Sequence, residues 1–402
     1  MSYIGLDVHK SFIEGVVVNV PSRRPLRKFT IGTNKMAISA FARTLNADDK
    51  VVLESTVNTA PIVTLLRNNN AEIHVSNPLQ TRLIADSKTK TDSIDALALA
   101  NLLASGYLPT VDQPDSYIDT LRKVVSYNQE LLNNIIKVKN RIHSILHRNL
   151  VDYSHILDIF ARKNRLFLAT LSLQDDERYQ LGSELGLLDF LDGQVAGIRK
   201  QIAIKCLADK DIMRLITIPG IDYYIAVILK SAIGDINRFD SPKKLVSYFG
   251  LSPNIRQSAG KCITGRISKR GRSHARWVIV QASQCIVRYP CPLRAFFERL
   301  RVKKHRNKAI IAVASKLTRI IWHMLTKEED YRYSPPLVTR EKLGRLRIMA
   351  GGKRMMAGRK AGAESKGGRE AYLQLRRDDR LVGAKAEEEY VRAVKTKKDT
   401  EI

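Results

Sequence analysis

The first thirty residues alternate between short apolar runs and turn residues. YIGLDV and IEGVVVNV are rich in Val and Ile, PSRRP turns the chain, and LRKFTIG follows, so the stretch reads as three strands. NKMAISAFARTLN then carries Met36, Ile38, Phe41 and Leu45 at helical spacing. KVVLES reads as a short buried strand ending at Glu54, APIVTLLRNN as a helix and AEIHVSN as another strand. TDSIDALALANLLASG is a strongly periodic helix closed by Gly106. Three strands followed by helix, strand, helix, strand, helix predict an α/β domain, a mixed sheet with helices packed on it. That order fits an RNase H-like fold. It fits a doubly wound fold less well, because such a fold alternates from the start.

Between Tyr117 and Leu150, Ile118, Leu121, Val125, Leu132, Ile135, Ile136 and Val138 recur at helical spacing with Lys and Arg between them and no Pro. A second helical stretch covers Asp175 to Lys205. The pair predicts either an antiparallel coiled-coil arm or an ordinary helical bundle. A second, mainly α unit runs from Asp211 to Leu325. Its opening, ITIPGIDYYIAVILKSAIGDINRF, resembles a helix–hairpin–helix element, in which the N–H groups of a turn bind phosphate. Beyond Lys327 the chain turns Gly-, Ala- and Lys-rich, as in GGKRMMAGRKAGAESKGGRE. Such composition predicts a basic, disordered tail with a short helix near Glu387 to Lys395. The expected domains are therefore 1–110, a helical region over 111–210, a second globular unit over 211–326 and the tail over 327–402.

Charge changes the picture. Over 402 residues, 68 Lys and Arg face 40 Asp and Glu, a formal net charge of +28. An excess this large predicts a polyanionic partner, nucleic acid first of all. Basic residues recur from Arg122 to Arg319, so the tail is not their only source. Aromatic residues make up only 6%, which argues against binding by stacking bases on aromatic platforms. Cys206, Cys262, Cys285 and Cys291 form no CxxC pair and have no His cluster beside them, which argues against zinc and against a disulfide framework. No apolar run of about 18 residues and no basic lead into an apolar segment at the N-terminus are seen. The expected location is the cytoplasm, on the nucleoid.

One acid interrupts the first apolar run. Asp7 ends the first strand, Glu54 ends the fourth, and Asp92 and Asp95 stand three apart in KTDSIDALALA, on one face of a helix turn. In an RNase H-like sheet the first and fourth strands lie side by side, which joins Asp7 to Glu54, and the later helix sets Asp92 and Asp95 over the same point. Four converging carboxylates repel one another unless a cation neutralises them. Magnesium suits oxygen-only sites, and two such ions about 3.5–4 Å apart clamp the attacking and leaving oxygens of a phosphodiester. The bland reading makes Asp92 a helix N-cap with Asp95 at N3 and leaves Asp7 on the surface. All four acids at such positions in a very basic chain favour the metal. Asp86 is a weaker candidate, and His9 stands beside Asp7 with no assigned role.

The other dense stretch is YFGLSPNIRQSAGKCITGRISKRGRSHARW, with five Ser or Thr hydroxyls and seven Lys or Arg. It reads as an exposed, flexible, cationic loop able to surround phosphate oxygens. Arg256, Lys261, Arg266, Lys269, Arg270 and Arg272 are the candidate nucleic-acid contacts. Ser258 lies between Arg256 and Lys261, and Ala259 and Gly260 leave room for close approach. On chemistry alone Ser258 is a phosphate-binding hydroxyl before it is a nucleophile, and Ser252, Thr264, Ser268 and Ser273 rival it.

YIGLDVHK, the LES around Glu54 and KTDSIDALALA resemble the N-terminal DEDD domain of insertion-sequence 110-type (Piv/MooV-like) transposases. The stretch from IPGIDYYIAVILKSAIGDINRF to ITGRISKRG resembles their C-terminal transposase domain, and together the likeness covers residues 3 to 325. The resemblance implies a RuvC-like first domain whose four acids, here Asp7, Glu54, Asp92 and Asp95, bind magnesium. It implies a nucleophilic serine at Ser258, which reverses the order that chemistry alone gave. It further implies a phosphoserine link to DNA formed in a site composed with another subunit's metal-bearing domain. A bridge RNA that pairs with donor and target DNA, and assembly into tetramers joined partly by the coiled coil, are also implied. The family serine is usually followed by Gly, where this chain has Ala259. Alternative readings of the same residues are a metal-only junction nuclease of RNase H-like fold, with Ser258 a phosphate ligand, and a nucleic-acid-binding relative without chemistry.

Overall fold

The Val-, Ile- and Leu-rich runs of the N-terminal part pair into one five-stranded sheet. The computed structural model describes residues 2–19, 24–67, 71–84, 91–258, 261–352 and 366–399, and the chain divides into two units, Met1–Pro114 and Asp115–Ile402. In the first unit β1 (Tyr3–Val8), β2 (Phe12–Val18) and β3 (Pro25–Gly32) form an antiparallel meander. β4 (Lys50–Glu54) lies beside β1 and β5 (Glu72–Ser76) beside β4, both parallel, giving the order β3-β2-β1-β4-β5. The helices are α1 (Lys35–Ala42), α2 (Thr59–Leu66), α3 (Pro78–Ile84) and α4 (Asp92–Ala104).

Strand alternation decides what each face of the sheet carries. Ile4, Leu6, Ile13, Val51, Leu53 and Val75 point to one side and share a core with Ile38, Ala42, Ile62, Val63 and Leu66 of α1 and α2. Val16 and Val18 point to the other side and pack on Ala96 and Ala100 of α4. Gly5 is what lets α4 lie there, since an ideal Cβ on it would fall 1.9 Å from the Ala96 carbonyl oxygen. α3 has no counterpart in the sequence pattern, because its Leu79 and Leu83 are 80% and 84% exposed and bury no periodic face.

The second unit is helical apart from one hairpin. It runs through α5 (Ser116–Arg148), α6 (Arg165–Ala169), α7 (Asp175–Ala208), α8 (Lys210–Ile216), α9 (Tyr223–Ile233) and α10 (Pro242–Tyr248). The strands β6 (Pro253–Ser258) and β7 (Lys261–Ile267) then precede α11 (Ser273–Ile286), α12 (Pro292–Arg301), α13 (Arg306–Lys327), α14 (Pro336–Met349) and α15 (Lys366–Asp399). α5 and α7 run antiparallel. Arg141 pairs with Glu184 and Arg148 with Glu177, so the later residue on α5 meets the earlier one on α7. Ile118, Leu121 and Val125 on α5 and Ile202 and Cys206 on α7 join the main core. Further along, Leu131, Ile135, Val138, Ile142 and Ile145 meet Leu181, Leu188, Leu191 and Val195 in a separate cluster, so the pair extends as an arm. Ile136, expected on the buried stripe, is exposed, and Leu131 takes the place beside Leu132.

Three expectations need correction. The tail is not wholly disordered: α14 and α15 are helices, with Leu337, Lys342, Leu346 and Ala386 buried. The Gly- and Lys-rich run behind the expectation falls mostly outside the described residues, and its composition was extended over flanking segments that do carry apolar positions. The serine segment is not a loop throughout, because β6 and β7 pair antiparallel from Ser258↔Lys261 to Pro253↔Ile267, with a register shift between Pro253 and Ile255. The Pro219–Gly220 turn does join two helices, but it is largely buried, and the Ile221 N–H donates to the Ile218 carbonyl rather than facing solvent. α13 is also long and apolar enough by composition to cross a membrane, with mean hydropathy 1.2; half of that stretch is buried in the main core, as in the core helix of a globular unit.

Gly5→Ala is expected to destabilise the sheet unit by about 1–3 kcal/mol, because the new methyl group must push α4 off β1. Both tryptophans, Trp277 and Trp322, lie in the second unit. In urea, the circular-dichroism transition should therefore move to lower concentration while the Trp fluorescence transition stays in place. A circular-dichroism transition that stays in place would show that α4 does not depend on this contact.

Candidate active site

β1 and β4 end on the same edge of the sheet. Leu6 pairs with Leu53, so Asp7 and Glu54 each stand one residue further along neighbouring parallel strands. Leu6 and Leu53 face the α1–α2 core, so Asp7 and Glu54 project to the opposite face, where α4 lies. The first turn of α4 carries Asp92 and Asp95. Its N-cap is Thr91, whose side chain accepts from the Ile94 N–H at 3.3 Å. Asp92 is thus at N1 and does not cap the helix, which removes the bland reading for it.

The cluster that results includes a residue without a role in the sequence reading. His9 Nε2 lies 3.1 Å from Asp7 Oδ2 and 3.2 Å from Asp92 Oδ2, so one ring nitrogen is shared by two carboxylates. Among the described residues, Asp7, His9 and Asp92 are the one group whose donor atoms all lie within 4.8 Å of one another. The Asp7 side chain is only 18% exposed, against 49% for Asp92. Burial pushes the Asp7 carboxyl above its usual range; His9 opposes this, and Asp92 and Asp95 push it further up. Asp95 therefore acts on Asp7 from the same helix turn, while Glu54 stands outside the tight group at the end of the next strand. Glu14 is a fifth acid on this face. It is the register partner of Asp7 on β2, and its carboxylate accepts from Thr30 Oγ1 at 2.8 Å. Two signals pointed to these additions: His9 follows Asp7 by two residues, and Glu14 is the sole charge in the second apolar run. Carboxylate oxygens with one imidazole make a donor set for a divalent metal cation. Asp86 lies outside the described residues.

In the second unit Ser258 ends β6 at the tip of the hairpin and is exposed. The base of the hairpin is held firmly. Ser268 N–H donates to Ser252 O, Lys269 N–H to Gly250 O and Arg272 N–H to Tyr248 O. Gly271, at φ +114°, brings the chain so close to Tyr248 that a Cβ would sit 2.1 Å from its carbonyl oxygen. Tyr248 is clasped in turn. Arg272 Nε donates to its hydroxyl at 2.9 Å, and the Arg238 guanidinium lies 4.6 Å from its ring centre. Burial pushes the Tyr248 phenol up, but the positive charges of Arg272 and Arg238 outweigh burial and bring it below its ordinary value. Arg256, Arg266, Lys269, Arg270 and Arg272 are all exposed, and among the described residues none of them pairs with an acid. Ala259 and Gly260 lie outside the described residues, as does the side chain of Lys261.

Two family models match the chain. Residues 4–149 match a DEDD transposase model of the IS110 type, and residues 213–298 match one described as Transposase IS116/IS110/IS902 family; together they span more than half of the chain. The transposase for insertion sequence element IS1111A of Coxiella burnetii is 29% identical over 149 residues, which is 35% of this chain and 40% of that protein. The transposase for insertion sequence element IS1328 of Yersinia enterocolitica is 24% identical over 246 residues, 59% of this chain and 72% of the relative. The pilin gene-inverting protein of Moraxella bovis is 26% identical over 272 residues, 66% of this chain and 76% of the relative. The chain thus spans less than half the length of the first of these.

The raised Asp7 pKa fixes the sign of a pH effect. A carboxyl whose folded pKa lies above its ordinary value of 3.8 binds its proton more tightly in the folded state. Its favourable contribution is fully present below pH 3.8 and is lost as pH rises through the folded value. Asp7→Asn, which cannot ionise, is therefore expected to melt at a higher temperature than the parent at pH 7 in EDTA. The gap should close as the pH is lowered toward 4. A variant that melts lower than the parent at pH 7 in EDTA would mean that the His9 contact outweighs burial and repulsion.

Proposed function

We propose that this chain, a member of the IS116/IS110/IS902 family of transposases, moves an insertion element by cutting and rejoining DNA. The observation that carries the reading is the convergence of Asp7, His9 and Asp92 within reach of one ion, beneath a helix turn that also bears Asp95 and beside the strand that ends at Glu54. The strand order β3-β2-β1-β4-β5, with β1, β4 and β5 parallel, supports assigning the first unit to the RNase H-like, RuvC-like fold. The net charge of +28 supports a nucleic-acid substrate.

Asp7, Glu54, Asp92 and Asp95 are proposed to hold magnesium, with His9 adjoining. Bound there, the ion would supply positive charge for the phosphate oxygens and lower the pKa of a coordinated oxygen. The chain's own part is to set the carboxylates at one strand edge and to keep the half-buried Asp7 oriented through His9. Ser258 is proposed as the nucleophile. Its Oγ attacks the phosphorus of a phosphodiester, a P–Oγ bond forms, the bond to the leaving sugar oxygen breaks, and that oxygen takes up a proton. The product is a phosphoserine link that a second sugar hydroxyl resolves. The exposed tip lets Ser258 reach a backbone, and Arg256, Arg266, Lys269, Arg270 and Arg272, with Lys261, supply cations along the same segment. The guiding bridge RNA and the tetramer belong to this proposal through the resemblance described above.

A second reading has one observation in its favour: every acid of the cluster lies in the first unit and Ser258 in the second. In that reading the acids cleave alone and Ser258 binds phosphate. The two separate in a trapping experiment with end-labelled element DNA and magnesium. The parent is expected to form a covalent protein–DNA adduct, and Ser258→Ala to lose it along with about 10³-fold or more of strand exchange. Asp92→Asn and added EDTA are expected to abolish cleavage while DNA binding persists. Full strand exchange by Ser258→Ala would leave the metal-only reading, and cleavage that survives EDTA would remove the metal from both.

A further inference from the structure

The turn between α8 and α9 points its carbonyls inward. The oxygens of Ile216, Ile218 and Ile221 converge on a single atom, Nζ of Lys342 from α14. Nζ donates to Ile218 O at 2.7 Å and to Ile221 O at 3.0 Å, and Ile216 O is closer still. Lys342 is 8% exposed, and the three Ile residues whose carbonyls it meets are wholly buried. Converging carbonyl dipoles repel one another and need positive charge at their focus. An ammonium offers three N–H donors for three acceptors, whereas a neutral amine offers two. Burial pushes the Lys342 pKa down to about 8, so the group is still charged at neutral pH.

We propose that the carbonyls of Ile216, Ile218 and Ile221 form a monovalent-cation site, and that Lys342 fills it as a tethered ammonium where a free potassium or ammonium ion would otherwise bind. All three ligands are neutral backbone oxygens. That is the donor set that replaces the hydration shell of a large monovalent cation; no carboxylate is among the three, and the nearby Asp222 acts on the ammonium through its charge, opposing the effect of burial. A cavity of about 720 Å³ lined by Lys200, Asp222, Tyr223, Lys342, Arg345 and Met349 lies against the lysine.

The site ties the C-terminal part of the chain to the proposed chemistry. On its far side the turn presses on α11, where a Cβ on Gly220 would come within 2.6 Å of Cys285 Cβ and 2.9 Å of the Ala282 oxygen. The N–H of Tyr331 adds a second tie, donating to Thr217 Oγ1 at 2.9 Å. The turn is thus wedged between Lys342 and α11, and α11 begins where the serine hairpin ends. Lys342 holds the turn, and the turn packs on the helix that follows the serine hairpin.

The test uses the full chain and compares Lys342→Ala and Lys342→Met with the parent in potassium, ammonium or tetramethylammonium chloride at equal ionic strength. The parent's melting temperature sets the general effect of each salt. Relative to it, Lys342→Ala is expected to melt about 5–10 °C lower in tetramethylammonium, since three buried carbonyls lose their donor. It should recover at least half of that loss, saturably, in potassium or ammonium. Lys342→Met fills the space but donates nothing, and is expected to be lowered in all three salts. If Lys342→Ala folds only with potassium or ammonium, the proposal also stands. Equal melting of Lys342→Ala in all three salts, failure to fold in any of them, or parent-like stability of Lys342→Met would overturn it.

Discussion

The acid site rests on how closely one helix can approach one strand. At Gly5 the backbone of α4 comes so near that a methyl group would meet the Ala96 oxygen at 1.9 Å. Two residues along β1, on the same face, stands Asp7, and back along α4 from Ala96 stand Asp95, the residue before it, and Asp92, one turn away. With a larger residue at position 5, α4 would lie further out and its carboxylates would lift away from Asp7. The small residues Ala96 and Ala100 against Val16 and Val18 extend the same close seating across β2. A distance set by the absence of a side chain thus decides whether acids from two elements act as one group.

The approach has an electrostatic consequence. Asp7 is mostly buried, with Asp92 and Asp95 near enough to raise its pKa and His9 opposing them. Buried like charges destabilise a fold, and residues arranged at such a cost are a recognised mark of functional sites. The basic residues of the serine segment show the opposite choice. Arg256, Arg266, Lys269, Arg270 and Arg272 are exposed and, among the described residues, unpaired with acids, so they lose little in solvation. Two units in one chain therefore use charge in opposite senses, the first concentrating negative charge at a strand edge and the second spreading positive charge along a hairpin.

Much of this was legible in the sequence where a pattern repeats. The period-2 and period-3.6 runs gave the five strands, α1, α2, α4 and the long helices, because burial on one face imposes those periods. Asp7, Glu54, Asp92 and Asp95 stood out because each interrupts or ends such a run. What stayed hidden has no period. His9 joins the site through a ring orientation, Glu14 through strand register, and Thr91 through a cap that leaves Asp92 uncommitted. The hairpin of β6 and β7 has only exposed residues along β6, so no apolar alternation announced it. α14 and α15 flank a Gly- and Lys-rich run whose composition masks the apolar positions on either side of it.

Composition also misleads about what a lysine does. In a chain with 68 basic residues, Lys342 has no feature of sequence that separates it from those facing solvent. Its meaning comes from three carbonyls contributed more than a hundred residues earlier. The Pro219–Gly220 turn misled in the complementary way: it suggested amide groups presented to a phosphate, yet what it gathers is oxygen around a cation. Reading the turn by its acceptors rather than its donors makes α14 part of the unit it covers. The serine hairpin is then followed by a packed series, from Lys342 through the turn to α11, and the segment that leads into α11 is tied by backbone bonds from Lys269 to Gly250 and from Arg272 to Tyr248. A firmly bonded base beneath an exposed tip suits the nucleophilic role proposed for Ser258, because orientation held in advance need not be won during a reaction.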